Sequence, residues 1–110
     1  MAAHFGRLGA MAQGRGPFDA TSATANAELV TTLSKLPFAG FVEGTSGTEK
    51  GQPKPNVWAE RAKFDEAAKK MQDEVAKLAA AAKAGPDAFK AAFGNAAGTG
   101  KSCHDNFRVQ

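Results

Sequence analysis

The strongest constraint on the fold is a run of apolar residues at helical spacing between positions 56 and 84. Apolar side chains recur there every three or four residues, which is the spacing of one face of an α-helix. The members of this stripe are Phe64, Ala68, Met71, Val75, Leu78 and Ala82. The other faces hold many charged residues, so the segment predicts one amphipathic helix about 40 Å long, at about 1.5 Å per residue.

Two shorter segments precede it. The first predicts a helix from the N-terminus to near Gly14, and the second predicts a helix from about Ala20 to near Pro37. The apolar positions are Met1, Phe5, Leu8 and Met11 in the first, and Leu29, Val30, Leu33 and Leu36 in the second. At roughly 12 residues, the first helix is about half as long as the third.

A fourth helix is predicted after Gly85, because Pro86 is well suited to the first turn of a helix. One side of it carries Phe89, Phe93, Ala96, Cys103 and Phe107. Residues 40–55 are rich in Gly and Pro and predict a surface crossover loop. The fold class predicted is therefore all-α: an antiparallel four-helix bundle of one domain, residues 1–110, with its longer crossover between helices two and three.

Charge, hydropathy and cysteine content exclude several classes of function. A net charge of +3 with interspersed signs differs from the clustered basic surface of a nucleic-acid-binding protein. No apolar stretch is long enough to cross a bilayer, and the N-terminus lacks the apolar run of a signal peptide. A single cysteine excludes an intrachain disulfide and a multi-cysteine zinc site. We therefore expect no nucleic-acid partner and no membrane partner.

Gly94, Gly98 and Gly100 are unusual in the fourth helix, because each costs about 0.5 to 1 kcal/mol relative to Ala in a helix interior. Two interpretations are open. The glycines permit close approach of another backbone or a flat ligand, or the helix bends or frays there.

The candidate site is Cys103 followed by His104. In the Cys-x-x-Cys-His signature, two thiols form thioethers with haem and the histidine ligates its iron. Here Gly100 stands at the position of the first cysteine. Taken alone, a buried cysteine beside an exposed histidine at a helix end is a common structural arrangement, so this pair needs support from the rest of the chain.

That support comes from short segments in a characteristic order, which together resemble the cytochrome c′ family over essentially all 110 residues. These segments are residues 4–7, 17–20, 33–37, 55–58, 91–94 and 101–108. The resemblance implies a four-helix bundle with haem c as cofactor, attached through a single thioether at Cys103, and His104 as the proximal iron ligand. It also implies that Arg108, one helical turn beyond His104, lies on the proximal side of the haem.

The family resemblance further implies five-coordinate iron, binding of nitric oxide and carbon monoxide, electron transfer without substrate turnover, a periplasmic location and a homodimer packed through the first two helices. The redox partner is not identifiable. Phe5, Phe38, Phe41, Trp58, Phe93 and Phe107 are the expected pocket walls. Aromatic residues at helical spacing are also expected in an ordinary core, and the alternative for Arg108 is an exposed C-terminal arginine favoured by the helix dipole.

Two features depart from the family. Gly100 removes one thioether, and the first helix is truncated relative to the family, whose upstream portion covers the distal face of the iron. We therefore expect easier access of ligands to the iron, and a dimer interface that lacks part of the first helix. The alternative function is a haem-free structural or engineered helical bundle in which Cys103 is a free thiol.

Overall fold

Helices form almost all of the regular structure. A computed structural model describes residues 1–110. The helices are α1 (Ala2–Ala12), α2 (Ala20–Leu33), α3 (Asn56–Ala59), α4 (Arg61–Ala76), α5 (Leu78–Ala84) and α6 (Pro86–Phe107), with a 3₁₀ turn at Pro37–Gly40. Helices α3, α4 and α5 follow one another in the position of one long helix, so the chain forms a four-helix bundle as predicted. The only extended pairing is an isolated antiparallel bridge between Pro53 and Arg108.

The third bundle helix has the predicted extent but is not continuous. At Glu60 the backbone leaves the helical region, with φ −120° and ψ 46°, and α3 ends. At Lys77 the backbone stays near-helical, but its N–H donates to the carbonyl oxygen of Glu74, three residues back rather than four. The prediction of one unbroken helix was therefore wrong, because apolar periodicity records which face is buried and not whether every turn is regular.

Helix ends follow local chemistry. Asp19 caps α2, its Oδ1 accepting from the backbone N–H of Thr21 at 3.2 Å. Gly85 adopts φ +121° between α5 and α6, a conformation that favours glycine, and Pro86 occupies the first turn of α6. These boundaries confirm the predicted ones.

The bundle contains two separate apolar clusters. The larger cluster has 11 buried residues: Leu8, Ala12, Ala23, Ala27, Val30, Val75, Leu78, Ala82, Phe89, Phe93 and Ala96. The smaller cluster has three buried residues, Val57, Phe64 and Phe107, packed against the partly buried Phe38, Phe41, Trp58, Ala67 and Cys103. The larger cluster joins α1, α2, α4, α5 and α6, so it holds the bundle together.

The buried face of α2 differs from the predicted one. Leu29 and Leu36 are 45% and 64% exposed. The buried positions are Ala23, Ala27, Val30 and Ser34. Small side chains at spacings of four and three allow α2 to pack closely against the rest of the bundle, and this stripe lies on a different face from most of the leucines.

Helix α6 runs unbroken through Gly94, Gly98 and Gly100, so the interpretation that the helix frays at these glycines was wrong. A Cβ at any of the three would meet no atom within 4 Å, so no neighbouring backbone approaches them closely. No helix is both long enough and apolar enough to span a membrane.

Candidate functional site

A small cleft lies where the end of α6 meets the crossover loop and the start of α4. Its volume is ≈ 190 Å³. Its walls are Phe41, Gly51, Pro53, Phe64, Cys103, His104, Phe107 and Arg108. Cys103 and His104 therefore line the same cleft, as the sequence motif requires.

Cys103 is half-buried, and its thiol is free. It packs against the aromatic side chains of the smaller cluster. Burial raises the pKa of the Cys103 thiol above its ordinary value, because the apolar surroundings disfavour the charged thiolate. At neutral pH this residue is a protonated thiol facing an apolar surface.

His104 is exposed at the edge of the cleft. Desolvation lowers the pKa of its imidazole, the positive charge of Arg108 lowers it further, and Asp105 opposes the shift. The ring is therefore neutral over a wider pH range than a free histidine. Neutral imidazole is the form that ligates a metal.

Arg108 lies one turn beyond His104, and its backbone N–H donates to the carbonyl oxygen of His104 at 3.0 Å. Its side-chain Nε donates to the carbonyl oxygen of Gly51 at 3.4 Å. Gly51 has φ +89°, and a Cβ there would lie 3.1 Å from Nη2 of Arg108. Glycine at this position therefore permits the close contact between the loop and the arginine.

Closely packed aromatic rings form the apolar side of the site. Phe64 is central, with ring centroids 4.9 Å from Phe41 and 5.3 Å from Phe107. Trp58 packs against the same cluster, and its indole Nε1 is buried without a hydrogen-bond partner. A buried N–H donor without an acceptor is costly, so this donor is available to a water molecule or to an acceptor of a bound group.

The structure does not bring every expected pocket residue to this cleft. Phe107 lines it and Trp58 packs beside it, whereas Phe5 and Phe93 stack on each other at 4.8 Å in the larger cluster. Phe93 precedes Cys103 by ten residues, or about 15 Å along α6. Phe5 and Phe93 thus occupy core positions in this conformation.

A wider groove of ≈ 510 Å³ lies between α4 and α6. Its walls are Ala67, Lys70, Glu74, Gly94, Asn95, Gly98, Thr99 and Ser102. These residues are mostly polar or small and include neither Cys103 nor His104. The candidate site is therefore the smaller, aromatic cleft.

Comparison with known proteins identifies the family. The family model described as Cytochrome C′ matches residues 1–108. The chain belongs to the cytochrome c′ family. The cytochrome c′ of Rubrivivax gelatinosus is 50% identical over 109 residues, which are 98% of this chain and 84% of that protein. The cytochrome c′ of Alcaligenes xylosoxydans xylosoxydans is 43% identical over 109 residues, with the same two shares.

Solved structures agree. The crystal structure of cytochrome c′ from Rubrivivax gelatinosus superposes with a TM-score of 0.86 at 49% identity, covering 97% of this chain and 84% of that one. The nitric oxide complex of a cytochrome c prime variant from Alcaligenes xylosoxidans, in which isoleucine replaces a leucine, gives a TM-score of 0.88 at 41% identity. The match covers 99% of this chain and 85% of that one. The fold and its topology are thus those of cytochrome c′.

The cytochrome c′ family binds c-type haem, and the residues at this cleft fit such a group. A thiol and an imidazole are adjacent, aromatic rings provide an apolar wall, and the buried indole N–H of Trp58 needs an acceptor such as a carboxylate. The single cysteine is consistent with attachment through one thioether instead of two.

Sequence reasoning did not identify three of the cleft residues. Gly51 and Pro53 lie in the crossover loop, and Phe64 was assigned only to the buried stripe of its helix. The helical spacing of Phe64 showed that it faces inward. No local signal showed that Gly51 and Pro53 reach the end of α6, because that contact joins residues more than 50 positions apart in the chain.

Proposed function

We propose that this protein carries one haem c, joined by a thioether to Cys103 and ligated through iron by His104, and that it transfers single electrons and binds small gases such as nitric oxide and carbon monoxide. The observation that carries the proposal is that Cys103 and His104 line one aromatic cleft. When bound, the haem supplies a redox-active iron with an open coordination position.

The composition of the cleft supports five-coordinate iron. Its other side chains are phenylalanine, proline and arginine, none of which is a usual iron ligand in haem proteins. His104 therefore provides the one protein ligand from this cleft, and Arg108 places a positive charge beside it. The nitric oxide complex described for the Alcaligenes xylosoxidans relative supports gas binding.

The same composition favours binding and electron transfer over catalysis. General acid–base catalysis needs a positioned titratable group besides the metal ligand. The cleft contains no carboxylate, and Arg108 stays protonated. We therefore propose that the protein is not an enzyme.

The size of the cleft predicts a local rearrangement. A volume of ≈ 190 Å³ is below the roughly 300 to 1,000 Å³ typical of sites for drug-sized ligands. Phe38 and Phe41 are only partly buried and lie in and directly after a short 3₁₀ turn, so we expect these side chains to move outward when haem binds.

The family also suggests where the protein is located and how it assembles. We propose a periplasmic location and a homodimer that packs through α1 and α2. Leu29 on α2 is 45% exposed, and such a contact would cover it. Sedimentation of the wild type and of Leu29→Lys tests it: a dimer that becomes monomeric supports the proposal, and a monomeric wild type contradicts it.

The primary experiment is the intact mass and visible spectrum of purified protein before and after acid–acetone extraction. We expect the wild type to retain one haem and its Soret band, and Cys103→Ser to lose both on extraction. Ser102→Ala, an exposed neighbour, is the matched control and retains the haem. A wild type with the mass of the bare chain and no Soret band contradicts the proposal; a disulfide-linked dimer under oxidising conditions then identifies the haem-free bundle with a reactive thiol.

Introducing a cysteine at position 100 tests the effect of the missing first cysteine of the Cys-x-x-Cys-His motif. A Cβ at Gly100 meets no atom within 4 Å, so cysteine fits there in the unbroken helix. We expect Gly100→Cys to add a second thioether, which shifts the pyridine haemochrome band to shorter wavelength because one more vinyl group is saturated. Gly98→Cys, an earlier position on the same helix, has equal space and leaves the band unchanged.

A further inference from the structure

The C-terminal carbonyl groups of α6 have unusual partners. The last four carbonyl groups of a helix lack partners within the helix. In α6, three of these four accept hydrogen bonds from two residues, Lys54 of the crossover loop and Asn56 at the start of α3. Nζ of Lys54 donates to the carbonyl oxygen of Asp105 at 3.1 Å, Nδ2 of Asn56 donates to that of Asn106 at 2.8 Å, and the backbone N–H of Lys54 donates to that of Phe107 at 2.8 Å.

Backbone pairing extends this contact beyond the helix end. The N–H of Gly51 donates to the carbonyl oxygen of Val109 at 2.7 Å, and the N–H of Val109 donates to that of Gln52 at 2.8 Å. Pro53 and Arg108 form the isolated bridge between these bonds. Residues 51–56, here called the capping segment, therefore bind the last turn of α6 and the residues directly after it.

The capping segment also shapes the candidate site. Gly51 and Pro53 line the cleft together with Cys103 and His104. His104 lies in the last turn of α6, where helices most readily fray. A metal ligand keeps its orientation only if its surroundings hold it, and that orientation tunes the metal. Loss of the cap therefore frees the turn that carries the ligand.

We propose that Lys54 and Asn56 are positioning residues for His104: their hydrogen bonds to the last turn of α6 fix the orientation in which the imidazole meets the haem iron. This inference rests on the proposed function. Asn56 is the sharper test, because its side-chain amide alone makes the bond to Asn106, whereas Lys54 also contributes a backbone bond that substitution leaves in place.

Asn106 offers a matched control on the same turn. Its Nδ2 donates to the carbonyl oxygen of Ser102 at 2.9 Å, a bond within α6 that does not reach the capping segment. Asn56→Ala and Asn106→Ala thus remove the same chemical group and one side-chain bond to a backbone carbonyl each, and Asn56→Ala also removes a longer bond of 3.5 Å from Nδ2 to Oε2 of Glu60. Only the first variant removes a bond between the capping segment and the end of α6.

The first measurement is amide hydrogen exchange of residues 104–109 in haem-free protein. For Asn56→Ala we expect exchange about tenfold faster than in the wild type, the effect of losing one hydrogen bond to the opened segment. For Asn106→Ala we expect a change below about threefold, and α2 is unchanged in both. Equal exchange in the two variants contradicts a capping role of Asn56.

The second measurement is the iron–histidine stretching band of the reduced, haem-loaded protein by resonance Raman spectroscopy. A positioning role predicts a shifted or broadened band in Asn56→Ala and a wild-type band in Asn106→Ala, even where the two variants melt at the same temperature. An unchanged band in Asn56→Ala overturns the positioning role alone. A wild type without haem overturns the proposed function and the positioning role together.

Discussion

The two apolar clusters differ in composition and completeness. The larger cluster consists of aliphatic residues, alanines and two phenylalanines, with 11 buried residues drawn from α1, α2, α4, α5 and α6. The smaller cluster has three buried residues, and around them lie partly exposed rings, a thiol and an indole N–H without a partner. A core that only had to stabilise the bundle would bury these groups or pair them.

The difference indicates that the contacts that stabilise the bundle and the candidate site lie in different places in the molecule. The larger cluster contains the contacts that join the helices. The smaller cluster remains partly open beside Cys103, as expected of a site that another group completes. Substitutions in the two clusters should therefore affect different properties.

The largest effect is expected in the larger cluster. Phe89 is 1% exposed and contacts Phe18 and Phe93. Phe89→Ala should lower the free energy of unfolding by about 3 to 5 kcal/mol, because it leaves a cavity among helices that cannot close it. Urea unfolding of the haem-free protein measures this loss. A loss below about 1 kcal/mol would show that the larger cluster is not the main stabilising core.

The matching substitution in the smaller cluster is Phe64→Ala. Phe64 is 2% exposed, but Phe38 and Phe41 beside it are only partly buried and can relax into the space. We expect a loss of about 3 kcal/mol, at the low end of the range for phenylalanine. The haem content of purified protein should also fall, whereas folded Phe89→Ala should keep its haem. The reverse pattern would contradict the division between the clusters.

A glycine pair tests packing more finely. A Cβ at Gly9 would lie 3.2 Å from Cζ of Phe93, whose ring is held by stacking on Phe5. Gly9→Ala should therefore cost about 1 kcal/mol, because crowding exceeds the gain in helix propensity. Gly98→Ala has open space and should gain about 0.5 to 1 kcal/mol. Thermal unfolding of both variants measures the difference, and a stabilising Gly9→Ala would show that the larger cluster is loosely packed.

The smallest effect is a pH dependence at the cleft. Desolvation and the charge of Arg108 lower the pKa of His104 in the folded protein below its ordinary value of 6.5. At a pH between the lowered pKa of the folded protein and 6.5, the unfolded chain binds more protons than the folded protein. The stability of the haem-free protein therefore falls as the pH drops below 6.5 and through the folded pKa. Urea unfolding over a pH series that brackets this interval should show the decline, and His104→Gln should reduce it. An equal decline in His104→Gln would assign it to another group.

Local sequence information predicted most of the fold. The stripe from Phe64 to Ala82 and the break at Gly85 each depend on residues close together in the chain, so helical periodicity and turn chemistry identify them. The adjacency of Cys103 and His104 is likewise a property of the chain itself. That adjacency, together with the family resemblance of the whole chain, identifies the candidate site.

The same reasoning could not assign the aromatic residues to one cluster or the other. Phe93 and Phe107 lie on the same side of α6, and spacing alone gave both the same role. Their environments differ because Phe93 meets Phe5 of α1, whereas Phe107 meets Phe64 of α4. Which helix meets each part of α6 is a matter of tertiary packing.

The sequence by itself thus determined four amphipathic helices and a thiol next to an imidazole, because both are patterns among near neighbours. Tertiary structure alone decided that residues 51–56 bind the end of α6, that Trp58 has a buried N–H without a partner, and that Leu29 is exposed. These features join or separate groups that are distant in the chain. They depend on how the helices pack, and no local pattern encodes that arrangement.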